Sequence, residues 1–318
     1  MMKISVAIAA YKGEKFIGEQ LSSISAQTVV PDEVVICDDS PDNATEKAVM
    51  KFADMLNIRY FRNEKPLGAA ANFSKALSLC TGEVIFLCDQ DDLWYPHKVS
   101  KMCRLLTPGK VSAVFCDSDI TDADSHPQNF THLQSRGYGG LLHTPAGKWQ
   151  GQFEQSCRRF PAAGHDMAFT KEFLEKLLPL PELKNCHDNY LGVAGAALDA
   201  WNFIPESLGT FRRHEQSTSA AGKKISLFNQ LHEARESVKN NTFSWNAELF
   251  TAVLEKLPEL PDERKKLLEE RITHSENRAG MPKCFFKRIP PVVKEWKCGN
   301  YKKFGRGWKN LVQDLFLR

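Results

Sequence analysis

No stretch of this 318-residue chain is apolar for long enough to cross a bilayer as a helix. A spanning helix needs about 20 such residues, and the longest runs here, around residues 4–10 and 84–88, fall far short. A secretory leader is not expected either, because Met1-Met2-Lys3 leads straight into a strand-like segment. The nine cysteines contain no CxxC pair and no framework spacing, which argues against a zinc site and a disulfide scaffold. Several of them, such as Cys37, Cys80, Cys88 and Cys116, sit in apolar segments as small hydrophobes, and a reducing cytoplasm suits that usage. Internal repeats and low-complexity segments are lacking too. What remains has the 42% hydrophobic and 25% charged composition of an ordinary globular protein, long enough for one large domain with an appendage.

The first 120 residues alternate between strand and helix periodicity. Residues 3–10, 33–37, 58–61, 83–88 and 111–116 read as strands, and 14–27, 45–56, 68–80 and 96–106 read as helices. This alternation predicts an α/β fold with a parallel, doubly wound sheet and right-handed crossovers. The pattern weakens over 117–160, where Gly137-Tyr138-Gly139-Gly140 marks a loop-rich stretch. Strands are predicted again at 167–170, 200–204 and 207–213, with helices at 171–178 and 187–198. Beyond residue 222 only helices are predicted, at 225–239, 245–256 and 262–278, which puts a boundary near 220.

The run Phe86-Leu87-Cys88-Asp89-Gln90-Asp91-Asp92-Leu93-Trp94 ends a buried strand in three carboxylates. Acids crowded at the carboxyl end of such a strand repel one another and resist desolvation, and a divalent cation bridging to phosphate offsets both. That sheet edge is where open α/β folds bind ligands. Hard oxygen donors favour Mg²⁺ or Mn²⁺. The alternative is an acidic turn with Asp92 capping a helix from near Tyr95. A second acidic strand end, Cys37-Asp38-Asp39-Ser40-Pro41-Asp42, suggests a polar ligand; helix capping accounts for Asp42 but poorly for Asp38 and Asp39.

Taken together, Ile4-Ser5-Val6-Ala7-Ile8-Ala9-Ala10-Tyr11, Glu19-Gln20-Leu21, Gln27-Thr28, Asp38-Asp39, Asn63 to Asn72 and Asp89-Gln90-Asp91-Asp92 follow the order and spacing of the family-2 glycosyltransferases. The chain resembles that family over about residues 3–215, in the bacterial branch with rhamnosyltransferase-like enzymes. The resemblance implies a GT-A fold, a Rossmann-like and mostly parallel sheet with flanking helices, here with a helical C-terminal extension. Residues 1–117 would bind a nucleotide-diphosphate sugar, UDP- or dTDP-linked, and 118–220 the acceptor. Residues 221–318 would form a helical region with a basic aromatic tail. It also implies metal-dependent, inverting transfer to a saccharide, lipid-linked, in surface polysaccharide assembly.

Carried over residue by residue, the pattern sets Ala10 and Tyr11 against the base, Asp39 at its N–H, Asn72 near a further nucleotide contact and Asp89 at the ribose or metal. Asp91 would bind the metal, with His214 of Phe211-Arg212-Arg213-His214 beside the diphosphate as a further ligand. Gly164 and His165 match an acceptor-side segment. In Cys186-His187-Asp188-Asn189, Asp188 takes the role of catalytic base, with a helix cap the other role its spacing suits. His187 is an acceptor-side residue that tunes the base or contacts the acceptor, a satisfied buried histidine being the alternative. The chain departs from the pattern at Ala10, Lys12 and Ser40-Pro41, which bears on the base more than on the fold.

Two rivals stand beside this reading. A nucleotidyltransferase normally carries a Gly- and Arg/Lys-rich phosphate loop after its first strand, and Ala10-Tyr11-Lys12-Gly13-Glu14 offers little of that kind. A non-catalytic nucleotide-sugar-binding protein has no need of both Asp91 and Asp188. Residues 281–318 hold ten Lys or Arg against two acids, a net +8 that leaves −5 on residues 1–280. With Phe286, Trp296, Tyr301 and Trp308 among those cations, the tail reads as a segment lying on an anionic membrane surface, or as one packed on the domain with solvated lysines. No nucleic-acid-binding fold accompanies it, so nucleic acid is not an expected partner.

Overall fold

A computed structural model describes residues 2–149, 152–183, 187–214 and 227–317. Ten strands form one sheet: β1 (Ile4–Ala10), β2 (Glu33–Asp38), β3 (Ile58–Arg62), β4 (Val84–Cys88), β5 (Leu93–Trp94), β6 (Ala113–Thr121), β7 (Pro127–Thr131), β8 (Gly147–Lys148), β9 (Met167–Thr170) and β10 (Trp201–Arg212). The main order is β3-β2-β1-β4-β9-β6-β10-β5, with β7 on β6 and β8 on β10. Alternate residues of the central strands feed two cores. Val6, Ile8, Phe86 and Cys88 face one, and Ala7, Ile85 and Leu87 face the other. Burial on both sides explains why these strands read as unbroken apolar runs.

The sheet is mixed, mostly parallel in its first strands as expected, with antiparallel members that the strand–helix alternation does not foretell. β1, β2, β3 and β4 are parallel, but β9 lies antiparallel between β4 and β6. A strand buried on both faces is apolar whichever way it runs, so its direction leaves no trace in the sequence. The two strands predicted at 200–204 and 207–213 are one, β10. Its register on β6 shifts between Phe203 and Ser207, so an irregularity at Pro205-Glu206 takes up what looked like a break. The helix predicted over 45–56 is a shorter one, Ala44–Val49, followed by a 3₁₀ turn.

After β10 the described chain is helical: Leu227–Lys239, Thr242–Lys256, Asp262–Ala279, Phe285–Lys297, Asn300–Phe304 and Trp308–Phe316. The boundary expected near residue 220 lies outside the described residues, as do Cys186 and Glu215 to Ser217. Arg271 Nε donates to Cys157 O at 2.7 Å and Lys256 Nζ to Leu178 O at 2.8 Å, fastening these helices to the sheet-bearing part.

Candidate active site

The carboxyl ends of β1, β2 and β4 lie side by side, with Ile8 paired to Cys88 and Ala10 to Asp38. Ala10 is buried, and its carbonyl accepts the Asp39 N–H at 2.9 Å. The buried Asp39 carboxylate accepts from Asn63 Nδ2 at 2.7 Å and from the N–H groups of Leu67 and Gly68 at 3.0 and 2.9 Å. It therefore holds the 63–68 loop in place at the strand ends. Asn72 braces the same corner from below, donating to Cys37 O at 2.9 Å and Ala10 O at 3.3 Å while accepting from Asn63 at 2.9 Å. Its amide is engaged within the protein. Asp38 is likewise satisfied by the Ser40 amide and hydroxyl and by the Tyr60 hydroxyl. Tyr11 is the open wall here, a residue 52% exposed.

Gln90, which the sequence pattern did not single out, ties this corner to the acidic turn. It donates to Tyr11 O and accepts from Tyr11 N–H, both at 3.0 Å. A Cβ on Gly13 would collide with the Gln90 amide as it stands, so a larger residue there would push that side chain aside.

In the acidic turn, Asp92 is not a helix cap. β5 follows it, the next helix starts at Lys98, and Asp92 Oδ1 accepts the Arg212 N–H of β10 at 2.8 Å. Its Oδ2 is buried without a hydrogen-bond partner. Burial pushes the Asp92 carboxyl well above the ordinary range, despite the nearby His165. His165 Nδ1 lies 3.5 Å from Asp89 Oδ2 and 3.6 Å from Asp92 Oδ2. Burial alone would lower the His165 imidazole, but Asp166 and Asp92 outweigh it and raise it well above its usual value. The reciprocal contact holds Asp89 below the ordinary carboxylate range, against the upward push of burial. Asp91 points elsewhere: its Oδ2 meets His214 Nε2 at 2.8 Å, and burial followed by the charge of Asp89 raises its carboxyl.

Among the described residues, then, Asp89, Asp92 and His165 bring ligand atoms within 4.8 Å of one another, while Asp91 and His214 form an adjacent pair. An orphaned buried carboxylate oxygen beside an unpartnered imidazole nitrogen fits a hard divalent cation. A second trio, Asp122, Asp124 and His126, is more exposed and is knit by its own turn hydrogen bonds. Behind the cluster lies a buried base: Lys98 Nζ donates to His165 O at 2.8 Å and lies 3.6 Å from Asp166 Oδ1. His165, expected on the acceptor side, lies against Asp89 and Asp92 and is stacked on Phe211 with ring centroids 5.0 Å apart.

Gly164 links the two sides. A Cβ there would lie 3.0 Å from His187 Nε2 and 3.6 Å from Asp188 Cβ, so the backbone passes directly against the first turn of the His187–Ala197 helix. Asp188 is half-buried and its Oδ1 accepts the Asn189 N–H at 2.7 Å, not the second- or third-residue N–H that a cap would take. Burial lowers the His187 imidazole, opposed by the charges of Asp188 and Asp89. Its Nε2 is buried without a partner.

A mixed α/β sheet with flanking helices and acids at its strand ends, Asp39 and Asp89 to Asp92, has the architecture of a GT-A fold. The chain belongs to glycosyl transferase family 2, whose sequence profile matches residues 5–178. Among its relatives are two Escherichia coli proteins described as UDP-Glc:alpha-D-GlcNAc-diphosphoundecaprenol beta-1,3-glucosyltransferases. WfgD is 28% identical over 139 residues, 44% of this chain and 54% of the relative. WfaP is 32% identical over 148 residues, 45% and 56% respectively. The chain spans about half the length of these curated relatives. Among solved structures, Staphylococcus aureus TarS 1–349 in complex with UDP-GlcNAc is similar with a TM-score of 0.58 at 16% identity, covering all of this chain and 93% of that one. The mannosyltransferase PcManGT from Pyrobaculum calidifontis, in complex with GDP-Man and Mn²⁺, gives 0.57 at 17%, covering 99% and 85%.

Proposed function

We propose that this glycosyltransferase performs metal-dependent, inverting transfer from a UDP- or dTDP-sugar to a lipid-linked saccharide. The observation that supports it most is the meeting of two sets of groups at the end of β4: the acids Asp89, Asp91 and Asp92 with His165, and opposite them Gly164, His187 and Asp188. Residues 1–117 would bind the donor and 118–220 the acceptor. The base would lie against Tyr11 and over the corner that Ala10, Asp39 and Asn72 build. An undecaprenyl-diphosphate-linked saccharide is what WfgD and WfaP are described as using. Such a substrate would meet a nucleotide-sugar at the cytoplasmic face of a membrane, in surface polysaccharide assembly. The rhamnosyltransferase-like branch makes a deoxyhexose donor the narrower choice.

Mg²⁺ or Mn²⁺ would be held by Asp89, Asp92 and His165, with Asp91 and His214 at its edge. When bound, such an ion neutralises the donor diphosphate and stabilises the charge that grows on it as it leaves. Asp188 accepts the proton of the acceptor hydroxyl, whose oxygen forms the new bond to the anomeric carbon. The bond from that carbon to the diphosphate breaks on the opposite face, and its electron pair departs with the diphosphate. Attack opposite the leaving group inverts the anomeric centre.

A screen of UDP-, dTDP- and GDP-sugars with Mn²⁺ or chelator tests this reading. Release of nucleoside diphosphate with Mn²⁺ only is the expected outcome; a nucleotidyltransferase would instead need added pyrophosphate, and would return nucleoside triphosphate and sugar 1-phosphate. Asp188→Asn should bind donor in calorimetry and lose roughly 10²–10⁴-fold in turnover. Unchanged turnover removes Asp188 from the mechanism.

A further inference from the structure

The last helices of the described chain are inverted relative to an ordinary surface helix. Phe285–Lys297 turns Arg288, Val292 and Glu295 inward and Phe286, Ile289, Val293 and Trp296 outward. These two sets repeat at helical spacing, so they occupy two separate faces of one helix. Trp308–Phe316 does the same, burying Gln313 and Asp314 while exposing Trp308, Val312 and Phe316. Phe286 is 78% exposed, Trp308 70%, Phe316 63% and Trp296 61%. The two apolar faces adjoin, because the Phe285 and Phe316 rings lie 5.8 Å apart between centroids.

The inward face is largely polar, and its acids are hydrogen-bonded. Arg278 clamps Asp314 through Nε at 2.7 Å and Nη2 at 3.0 Å, and Tyr301 donates to the same carboxylate at 2.9 Å. Glu295 meets His274 Nδ1 at 2.5 Å and accepts from Asn277 at 2.7 Å. Polar hydrogen bonding thus holds the pair against the Asp262–Ala279 helix, and large apolar side chains are left facing out. A soluble surface seldom keeps so many large aromatic side chains in one patch unless a partner covers them.

We propose that this helix pair is a platform that seats on the interfacial layer of an anionic phospholipid membrane. Charge complementarity selects that occupant. The segment's two acids, Glu295 and Asp314, are both buried, so the exposed charges among its described residues are eight Lys or Arg, all positive. Tryptophan and phenylalanine favour the headgroup boundary, and long lysine stems lift their ammonium groups to the phosphates. A second copy pairing through this face would set like charges against each other. A nucleic acid would engage the lysines yet leave Ile289 and Val293 in water. No helix among the described residues is long and apolar enough to cross a membrane, so the platform lies on the surface. The inference does not depend on the donor, the acceptor or the metal.

Vesicle sedimentation of the full chain tests it, using phosphatidylcholine alone and phosphatidylcholine mixed with phosphatidylglycerol. The protein should sediment with the anionic vesicles, less so as salt rises, and brominated acyl chains should quench its tryptophan fluorescence. Phe286→Ser/Trp296→Ser/Trp308→Ser alters only outward side chains. It should keep the far-UV circular dichroism and lose at least about tenfold in partitioning. Lys287→Gln/Lys294→Gln/Lys297→Gln should weaken the preference for anionic over neutral vesicles. Wild-type protein left in the supernatant, or a serine variant that sediments like wild type, overturns the proposal. So does a lipid-free dimer in sedimentation velocity that the serine variant dissolves, since the face would then be a protein interface.

Discussion

Asp92 Oδ2 is a buried carboxylate oxygen with no hydrogen-bond partner, 3.6 Å from His165 Nδ1, and Asp92 and His165 each bear a shift set by burial and by the other charges of the cluster. A cation binding at Asp89, Asp92 and His165 must displace a proton from His165 and from any Asp92 that is still protonated. Both groups have raised values, so Mn²⁺ affinity should climb with pH above the range usual for carboxylates, and binding should release protons. Calorimetry in buffers of different ionisation enthalpy counts those protons; a pH-independent affinity with no release counts against this ligand set. Asp92→Asn should weaken Mn²⁺ binding by about tenfold or more while leaving the fold intact. Gly164→Ala probes the opposite wall. The new methyl would sit 3.0 Å from His187 Nε2 and displace the turn that carries Asp188. The expected result is a lower kcat with donor affinity preserved, read from steady-state kinetics and calorimetry.

The strands that frame the site are locked at their far ends by one residue. Glu33, at the start of β2, accepts from Ser5 Oγ at 2.6 Å on β1, from Arg59 Nη1 at 2.9 Å on β3, and from the Thr81 amide and hydroxyl at 2.6 and 2.7 Å before β4. Burial opposes ionisation, yet these donors together hold its carboxyl at about 2. A value below the unfolded one means that the stabilisation is complete above about pH 4.5 and is lost as pH falls towards 2, amounting to roughly 3 kcal/mol at 1.36 kcal/mol per unit. Glu33→Gln should flatten that acid limb in urea titrations, and an unchanged slope would assign the acid sensitivity elsewhere. The same elements mark how far the sequence could be read. β1, β2, β4 and β9 were legible as buried apolar runs, and the acids at 38–39 and 89–92 as clusters at strand ends. The direction of β9 was not, because burial on both faces erases it. Nor were the roles of Gln90 and Asp92, which depend on Tyr11 and Arg212, partners 79 and 120 residues away in sequence. The lysine-rich tail announced its charge but not its helices, since Pro290 and Pro291 sit inside one of them.

Across the whole molecule, the helical region joins the sheet-bearing part at several points and carries the outward apolar face on helices held by buried ion pairs. Arg264 reaches Ala197 O and Asp199 at the end of the helix that begins with His187 and Asp188, and Arg158 Nε donates to Lys303 O at 2.7 Å. The last helices add the Arg278–Asp314 clamp. Breaking one partner of a buried pair costs about 3–5 kcal/mol, because the remaining charge stays desolvated. Asp314→Ala leaves Arg278, over the Phe243 ring at 4.1 Å, and the Tyr301 hydroxyl without that carboxylate. The helix pair should therefore detach before the sheet unfolds, loosening the backbone around the lysines at 283–309 so that trypsin cleaves there, while calorimetric donor binding remains as in wild type. Loss of donor binding together with early cleavage would instead mean that the platform and the catalytic part unfold as one cooperative unit. In that case membrane seating and catalysis would share a single stability, and a variant that weakens one would weaken the other in proportion.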